Sequence, residues 1–156
     1  MQRQRDGIQP ARDQVSVFHV PAQALGKALG LGAGFDIEKV IQATDEQTVG
    51  EVQERLMDGS HQFWAATQHG KFIGCLITEI VSRETNDVLV IKYMAGKDPE
   101  IWLPVATETL EPMAKEAGLD AVYADTREGM RKFLISLGWK KVSIRMRLGL
   151  SDGRQK

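Results

Sequence analysis

The stretch Leu89-Val-Ile-Lys-Tyr-Met-Ala-Gly-Lys-Asp-Pro-Glu100 decides the fold of this 156-residue chain. Its first half is apolar and β-branched and predicts a strand, which a glycine turn at Ala95-Gly96-Lys97 ends. Asp98, Pro99 and Glu100 are residue types that favour a helix N-terminus. Such a turn directs backbone N–H groups and the helix dipole at one point. The stretch therefore predicts an anion site, suited to a phosphorylated cofactor.

The sequence after this turn predicts four further elements. They are a helix, a strand, a helix and a last strand, over residues 100–117, 121–124, 126–137 and 140–148. Because prolines are costly inside helices, Pro104 and Pro112 predict either a start nearer Leu103 or a kink. We expect residues 88–94 and 121–125 to be parallel neighbours, connected by the first of these helices in a right-handed crossover.

The sequence before the turn predicts a strand, helices and an antiparallel meander. The strand covers Val15–Val20, and the helical segments cover residues 21–31, 35–43 and 48–57. Asp45 or Thr48 can cap the third of these helices. Three strands, over residues 62–67, 72–81 and 88–94, are separated by polar turns and predict the meander.

The overall charge argues against one class of function. Lys and Arg total 20 against 21 Asp and Glu, which gives a net charge of -1. Bulk electrostatic binding to nucleic acid therefore has no support. Basic residues do cluster near the C-terminus, and we interpret them as a solvated face. They are Arg127, Arg131, Lys132, Lys140, Lys141, Arg145 and Arg147.

Cysteine usage and hydropathy point to an intracellular protein. Cys75 is the single cysteine and lies in an apolar strand, which favours a buried thiol over a nucleophile and excludes an internal disulfide. No apolar run is long enough for a membrane span, and the polar N-terminus does not resemble a secretory signal. We expect a cytoplasmic chain with one domain, residues 14–150, between flexible tails over 1–13 and 151–156.

The order of elements over about residues 15–149 resembles the GNAT acyltransferase fold. The segment Arg127-Glu-Gly-Met-Arg-Lys-Phe-Leu-Ile-Ser-Leu-Gly-Trp139 is similar to the GNAT segment in which a helix ends in a Leu-Gly-aromatic corner. The pattern Arg127-Glu-Gly-Met-Arg131, with Gly96 and Trp102, resembles the GNAT-like proteins of tailed bacteriophages. The resemblance implies a mixed α/β (α+β) fold, in which helices flank an antiparallel meander and a parallel β-α-β unit.

The resemblance also implies a cofactor. In GNAT enzymes the fourth strand splays from its neighbour and pairs with the pantetheine arm of acetyl-CoA, and the next loop binds the pyrophosphate. It follows that this chain would use acetyl-CoA and an amine acceptor, with cofactor contacts from Tyr93, Ala95, Gly96, Lys97, Arg127 and Arg131. The loop here departs from the family pattern Gln/Arg-x-x-Gly-x-Gly/Ala. The loop has one glycine. The carboxylates of Asp98 and Glu100 repel phosphate, and Pro99 lacks an N–H donor.

Acyl transfer to an amine also needs a base and a proton donor for the leaving thiolate. Glu79 is the candidate base, because it is the one acid in an otherwise apolar or neutral strand beside the cofactor strand. An outward-facing polar residue is the alternative interpretation of Glu79. Tyr123 is the candidate proton donor, and a core tyrosine with a satisfied hydroxyl is its alternative. His19, His61 and His69 lack metal-ligand spacing, so no metal is expected.

Two functions from different classes follow. The first is an acyl-CoA-dependent N-acyltransferase. The second is a non-catalytic phage protein that uses the same fold in virion assembly or in binding a host or phage protein. The glycine-poor loop favours the second function, and the strand, turn and helix arrangement favours the first.

Overall fold

The computed structural model describes residues 14–28, 37–44, 46–126, 128–143, 146 and 148–150. It forms a five-stranded sheet in the order β1-β2-β3-β4-β5. The strands are β1 Val15–Val20, β2 His61–Gln68, β3 Lys71–Ser82, β4 Asp87–Gly96 and β5 Val122–Ala124. The first four are antiparallel neighbours, whereas β4 and β5 are parallel. The predicted meander and the predicted parallel pair are both confirmed.

The chain divides into two compact units, Met1–Asp125 and Thr126–Lys156. The first contains the sheet and the helices α1 Leu25–Ala28, α2 Ile37–Thr44, α3 Val49–Asp58 and α4 Pro99–Glu116. A 3-10 turn, Ala22–Ala24, precedes α1. The second contains α5 Glu128–Ser136. The expectation of a single domain with two flexible tails stays a prediction.

The two faces of the sheet are covered by different helices of the first unit. On one face, helix α2 contacts β4 and helix α3 contacts β2. Because side chains alternate between the two faces along a strand, alternate residues of the strands contribute to the core on this face. The core residues of this face are Val20, Leu25, Ile37, Ile41, Val52, Phe63, Ala65, Cys75, Ile77, Tyr93 and Ala95. Helix α4 contacts β1, β2, β4 and β5. Its Trp102, on the other face, lies against Gly74 of β3.

A reciprocal pair of hydrogen bonds fixes the start of α3. Thr48 is the N-cap, its hydroxyl accepts a hydrogen bond from the Glu51 N–H at 3.0 Å, and the Glu51 carboxylate accepts one from the Thr48 N–H at 2.8 Å. This reciprocal capping box satisfies two helix-end donors. The prediction of Thr48 as the cap is confirmed, and Asp45 lies outside the described residues.

Helix α4 is continuous from Pro99 to Glu116, with both internal prolines inside it. Of the two predicted alternatives, this excludes a start near Leu103, and the kink stays a prediction. Pro99 occupies the first turn, where its missing N–H costs nothing. Burial of α4 residues against the sheet compensates for the hydrogen bonds that Pro104 and Pro112 remove. The buried residues are Trp102, Leu103, Ala106, Leu110 and Ala114.

Two predictions about strands differ from the structure. Strand β4 continues through Ala95 and Gly96, which the sequence assigned to a turn, because Gly96 still pairs with Gly74 of β3. Residues 140–143, 146 and 148–150 are not in a strand, although a last strand over 140–148 was predicted. Alternation fixes which side chains share a face, but a strand also needs a hydrogen-bonded neighbour. No helix among the described residues combines the length and apolarity needed to cross a bilayer.

Candidate functional site

Strand β4 has an edge that β5 covers only in part. The two strands pair over Leu89–Ile91, and the Asp125 N–H donates to the Ile91 carbonyl at 3.3 Å. Beyond Ile91, no strand in the described part of this unit pairs with β4 on that side, although β3 accompanies it to Gly96 on the other. We call residues 92–96 the open edge of β4. Its backbone groups can pair with an extended ligand, as an added strand would.

Two glycines shape the end of the open edge. Gly96 has φ +142°, and a Cβ at this position would lie 2.4 Å from the Gly74 Cα and 2.5 Å from the Ile73 carbonyl oxygen. A Cβ on Gly74 would lie 2.5–2.8 Å from three atoms of the Trp102 indole. Real side chains do not tolerate such distances, so both positions need glycine. The backbones of β3 and β4 therefore approach closely under the indole.

The turn from β4 into α4 is held from two sides. The Lys97 N–H donates to the Ile73 carbonyl at 2.9 Å, and the Trp102 indole N–H donates to the Lys97 carbonyl at 2.9 Å. These bonds fix the backbone of Lys97 and leave its side chain exposed. The exposed Lys97 side chain therefore starts from a fixed backbone next to the helix N-terminus, where an anion is favoured.

The acidic residues of this turn do not cap the helix. Asp98 is in the N-cap position, as the sequence predicted, but it has φ 50° and its side chain makes no capping hydrogen bond. Asp98 and Glu100 are both exposed. Their carboxylates reduce the attraction of the turn for phosphate, and the dipole of α4 and Lys97 oppose that reduction.

A polar cluster lies on the sheet face that α2 and α3 cover. It consists of Gln47, His61, Glu79, Lys92 and Tyr93. The Tyr93 hydroxyl donates to the Gln47 Oε1 at 2.6 Å, and the Gln47 Nε2 lies 3.3 Å from the His61 Nε2. Burial raises the pKa of Tyr93 above its usual range, so its phenol is neutral at pH 7. The cluster reaches the open edge through Lys92 and Tyr93.

The structure places Glu79 within this cluster. It is two residues beyond the core residue Ile77 and faces the same side of the sheet, opposite His61 in the neighbouring strand. Lys92 is the extra residue of a bulge in β4, and its Nζ lies 3.5 Å from the Glu79 Oε1. The Glu79 side chain is 29% exposed, so its carboxylate remains accessible for proton transfer.

Tyr123 is held by an arginine rather than buried in the core. The Arg83 Nη1 donates to the Tyr123 hydroxyl at 3.4 Å, and the guanidinium carbon lies 4.6 Å from the ring centroid. Tyr123 and Glu79 are both opposite Val90, on either side of β4. Two strand spacings therefore separate their Cα atoms, roughly 10 Å. The structure does not bring the two predicted catalytic groups into contact.

The remaining predicted cofactor residues are distributed over the two units. Tyr93, Ala95 and Gly96 lie on the open edge, and Lys97 follows it. Arg131 is in α5 of the second unit, and Arg127 lies outside the described residues. The expected cleft between Lys97 and these arginines stays a prediction. Within the described residues, no three potential metal ligands converge, and burial raises the pKa of Cys75 to about 12.

Sequence reasoning did not identify three members of the polar cluster. They are Gln47, His61 and Lys92, and they come together only through contacts between β2, β3, β4 and the segment before α3. Strand alternation carried the one available signal, because His61 shares the parity of the buried residues Phe63 and Ala65. A histidine on the buried face of a strand needs a polar partner.

Solved structures of acetyltransferases have the same fold. An aminoglycoside acetyltransferase from an uncultured soil metagenomic sample superposes with a TM-score of 0.63 at 12% identity, over 89% of this chain and 98% of that one. Glucosamine-6-phosphate N-acetyltransferase from Arabidopsis thaliana gives 0.58 at 14% identity, over 88% and 99%. A predicted acetyltransferase from Clostridium acetobutylicum, solved with acetyl-CoA, gives 0.57 at 13% identity, over 87% and 96%.

These likenesses define the class of fold. At 12–14% identity they establish that the chain has the GNAT fold, as the sequence predicted. No protein-family model matches the sequence, and no curated protein matches it.

Proposed function

We propose that the chain is an acyl-CoA-dependent N-acyltransferase that transfers an acetyl group from acetyl-CoA to an amine. The observation that carries this proposal is the open edge of β4, which ends in a fixed turn at the N-terminus of α4. This arrangement offers backbone hydrogen bonds to an extended amide-containing arm and then a cation to a phosphate. A Cβ on Gly96 would fill the space that the close approach of β3 and β4 requires.

In this proposal each residue has a defined task. The backbones of Tyr93, Ala95 and Gly96 bind the pantetheine arm, and Lys97 pairs with the pyrophosphate, with further contacts from Arg127 and Arg131. Bound acetyl-CoA supplies the activated thioester.

The acid–base steps fall to two side chains. Glu79 takes a proton from the amine as the nitrogen attacks the thioester carbonyl, and the ion pair with Lys92 holds this carboxylate in place. Tyr123 would donate its hydroxyl proton to the leaving thiolate as the carbon–sulfur bond breaks. Arg83 orients the hydroxyl of Tyr123 for this step.

The acceptor class is proposed by analogy with the structural neighbours. One neighbour is named for aminoglycosides and another for glucosamine 6-phosphate, and both are amino sugars. Primary amines on sugars are therefore the first acceptors to test. The predicted bacteriophage origin, the virion-assembly role and a host or phage protein partner stay predictions, and they are what remains if acetyl-CoA does not bind.

The test is calorimetric titration of the purified chain with acetyl-CoA. We expect saturable binding that Lys97→Glu weakens by about 1.5–3 kcal/mol, the contribution of a charge-assisted contact, or roughly 10–150-fold in Kd. Lys115→Glu is the matched control, because it makes the same charge change on an exposed side chain at the far end of α4. The two positions are roughly 27 Å apart along the helix.

Two results would contradict the proposal. Absence of binding at millimolar acetyl-CoA would remove its basis. Equal weakening by the Lys97 and Lys115 variants would show that overall charge, rather than this turn, attracts the ligand.

A further inference from the structure

The hydrogen bonds of the polar cluster connect three separate parts of the fold. Gln47 lies in the connection between α2 and α3, and its amide contacts Tyr93 of β4 on one side and His61 of β2 on the other. These partners are 46 and 14 residues away in the sequence. One side chain therefore ties the α2–α3 connection to the middle of the sheet.

The hydrogen bonds from Tyr93 through Gln47 to His61 all have the same donor-to-acceptor direction. The Tyr93 hydroxyl donates to the Gln47 Oε1, so the Gln47 Nε2 is the atom that faces His61. An amide nitrogen can only donate, and the His61 Nε2 must therefore accept. Only a neutral imidazole with its proton on Nδ1 can do so. Nδ1 is itself buried and forms no well-shaped hydrogen bond within the described residues.

The charges around His61 nearly balance. Glu79 of β3 and Asp58 at the end of α3 are acidic, whereas Lys92 of β4 and Arg55 of α3 are basic. Burial consequently dominates and lowers the pKa of His61, although the Ser60 backbone and Glu79 oppose it. The imidazole is only 3% exposed. The neutral state that the hydrogen bonds require is therefore also the one that the surroundings favour at pH 7.

Protonation of His61 would be incompatible with this arrangement. A proton on Nε2 would face the N–H groups of Gln47, and two donors cannot share a bond. Rotation of the amide by 180° would restore the contact, with Oε1 toward His61 and Nε2 toward Tyr93. The Tyr93 hydroxyl would then accept from Gln47 and donate to the Thr44 hydroxyl, which already contacts it. That hydroxyl can accept, because it uses its own proton on the Ile41 carbonyl at 2.9 Å.

We propose that Gln47 is a proton-controlled latch, whose amide reverses direction when His61 gains a proton and so changes how the α2–α3 connection is bonded to β4. The proposal needs no acetyl-CoA and stands apart from the proposed enzyme activity. It matters for that activity because Tyr93 lies on the open edge of β4. Protonation of His61 at acidic pH would therefore change the hydrogen bonds of Tyr93, a residue of the candidate site.

The test follows individual side chains by NMR during a pH titration of the whole chain. We expect the Gln47 side-chain amide signals to shift with the same midpoint as the His61 ring, and this midpoint to lie below the ordinary value of 6.5. His61→Gln, which does not titrate, should abolish the Gln47 transition. His69→Asn removes an exposed imidazole from the left-handed position of the β2–β3 turn and should leave the transition unchanged.

The wild-type titration alone can overturn the latch, whether or not the variants fold. Gln47 signals that stay constant while His61 titrates would show that the amide does not respond. An imidazole that stays neutral until the protein unfolds would show that no folded, protonated state exists. Neither result depends on acetyl-CoA binding, so failure of the latch and failure of the enzyme proposal can be told apart.

Discussion

Replacement of Gly74 with alanine should destabilise the protein through a collision with one buried ring. The new Cβ would lie 2.5 Å from the Trp102 Cε2 and 2.6 Å from its Cζ2. Carbon atoms prefer about 3.5–4.0 Å, so the overlap is roughly 1 Å. The indole cannot move away cheaply, because it is 1% exposed and its N–H is bonded to the Lys97 carbonyl. Overpacking of this kind costs about 1–3 kcal/mol.

Urea unfolding followed by far-ultraviolet circular dichroism would measure this cost. In a chain of this size, each kcal/mol lowers Tm by roughly 2–4 °C. Gly50→Ala is the matched control, because its added Cβ in α3 meets only the Thr48 Oγ1, at 3.9 Å. Gly50 lies in a helix, and the control should therefore stabilise the protein by roughly 0.5–1 kcal/mol. The same substitution should act with opposite signs at the two positions.

A double-mutant cycle with Trp102→Phe identifies the ring as the cause. Phenylalanine lacks the edge of the indole that the new Cβ would strike, so the double variant should be more stable than the sum of the single effects by about 0.5–3 kcal/mol. Additive effects, or a Gly74 variant as stable as the Gly50 variant, would refute this reasoning.

Three further predictions test the interior and the site. Thr78→Val should cost about 1–3 kcal/mol where Thr78→Ser costs less, because the Thr78 hydroxyl accepts from the buried Trp64 indole N–H at 3.0 Å; equal costs in urea unfolding would contradict this. Because burial lowers the pKa of His61, the unfolded chain takes up this proton at a higher pH than the folded protein. The free energy of unfolding should therefore be constant above about pH 6.5 and decrease below it by at most ~1.4 kcal/mol per pH unit. His61→Gln should remove this decrease, and His69→Asn should leave it unchanged. Glu79→Gln should leave calorimetric acetyl-CoA binding intact while slowing acyl transfer, followed by thiol release, roughly 10²–10⁴-fold, and unchanged turnover would exclude Glu79 as the base.

Local pattern was sufficient to predict most of the elements of this fold. Gly59, with φ 88°, ends α3, and Gly70, with φ 81°, lies in the β2–β3 turn. A single glycine therefore marks each of these boundaries. The parallel pairing of β4 and β5 followed from the rule that governs strand–helix–strand connections. The two boundaries depend on single residues, and the strand pairing depends on the order of consecutive elements along the chain.

The features that could not be predicted depend on distant partners. Alternation after Lys140 predicted a strand, but the described residues there have none, because pairing depends on a neighbour that the pattern does not identify. The bond between Gln47 and Tyr93 joins residues 46 positions apart. Asp98 was placed correctly at the start of α4, yet its left-handed backbone directs the side chain away from capping. Local sequence locates an element more reliably than it locates a contact.

Chemical labelling of the buried Cys75 thiol can report local opening of the sheet. The thiol lies in β3 at the centre of the sheet, with no exposed surface. The thiolate is the nucleophile that attacks thiol reagents, and burial disfavours its formation, so labelling requires states in which the sheet has opened around Cys75. Since Cys75 is the single cysteine, every modification reports opening at this one position of β3. With reagent concentrated enough to react before the sheet recloses, the labelling rate in native buffer would measure how often β3 opens there.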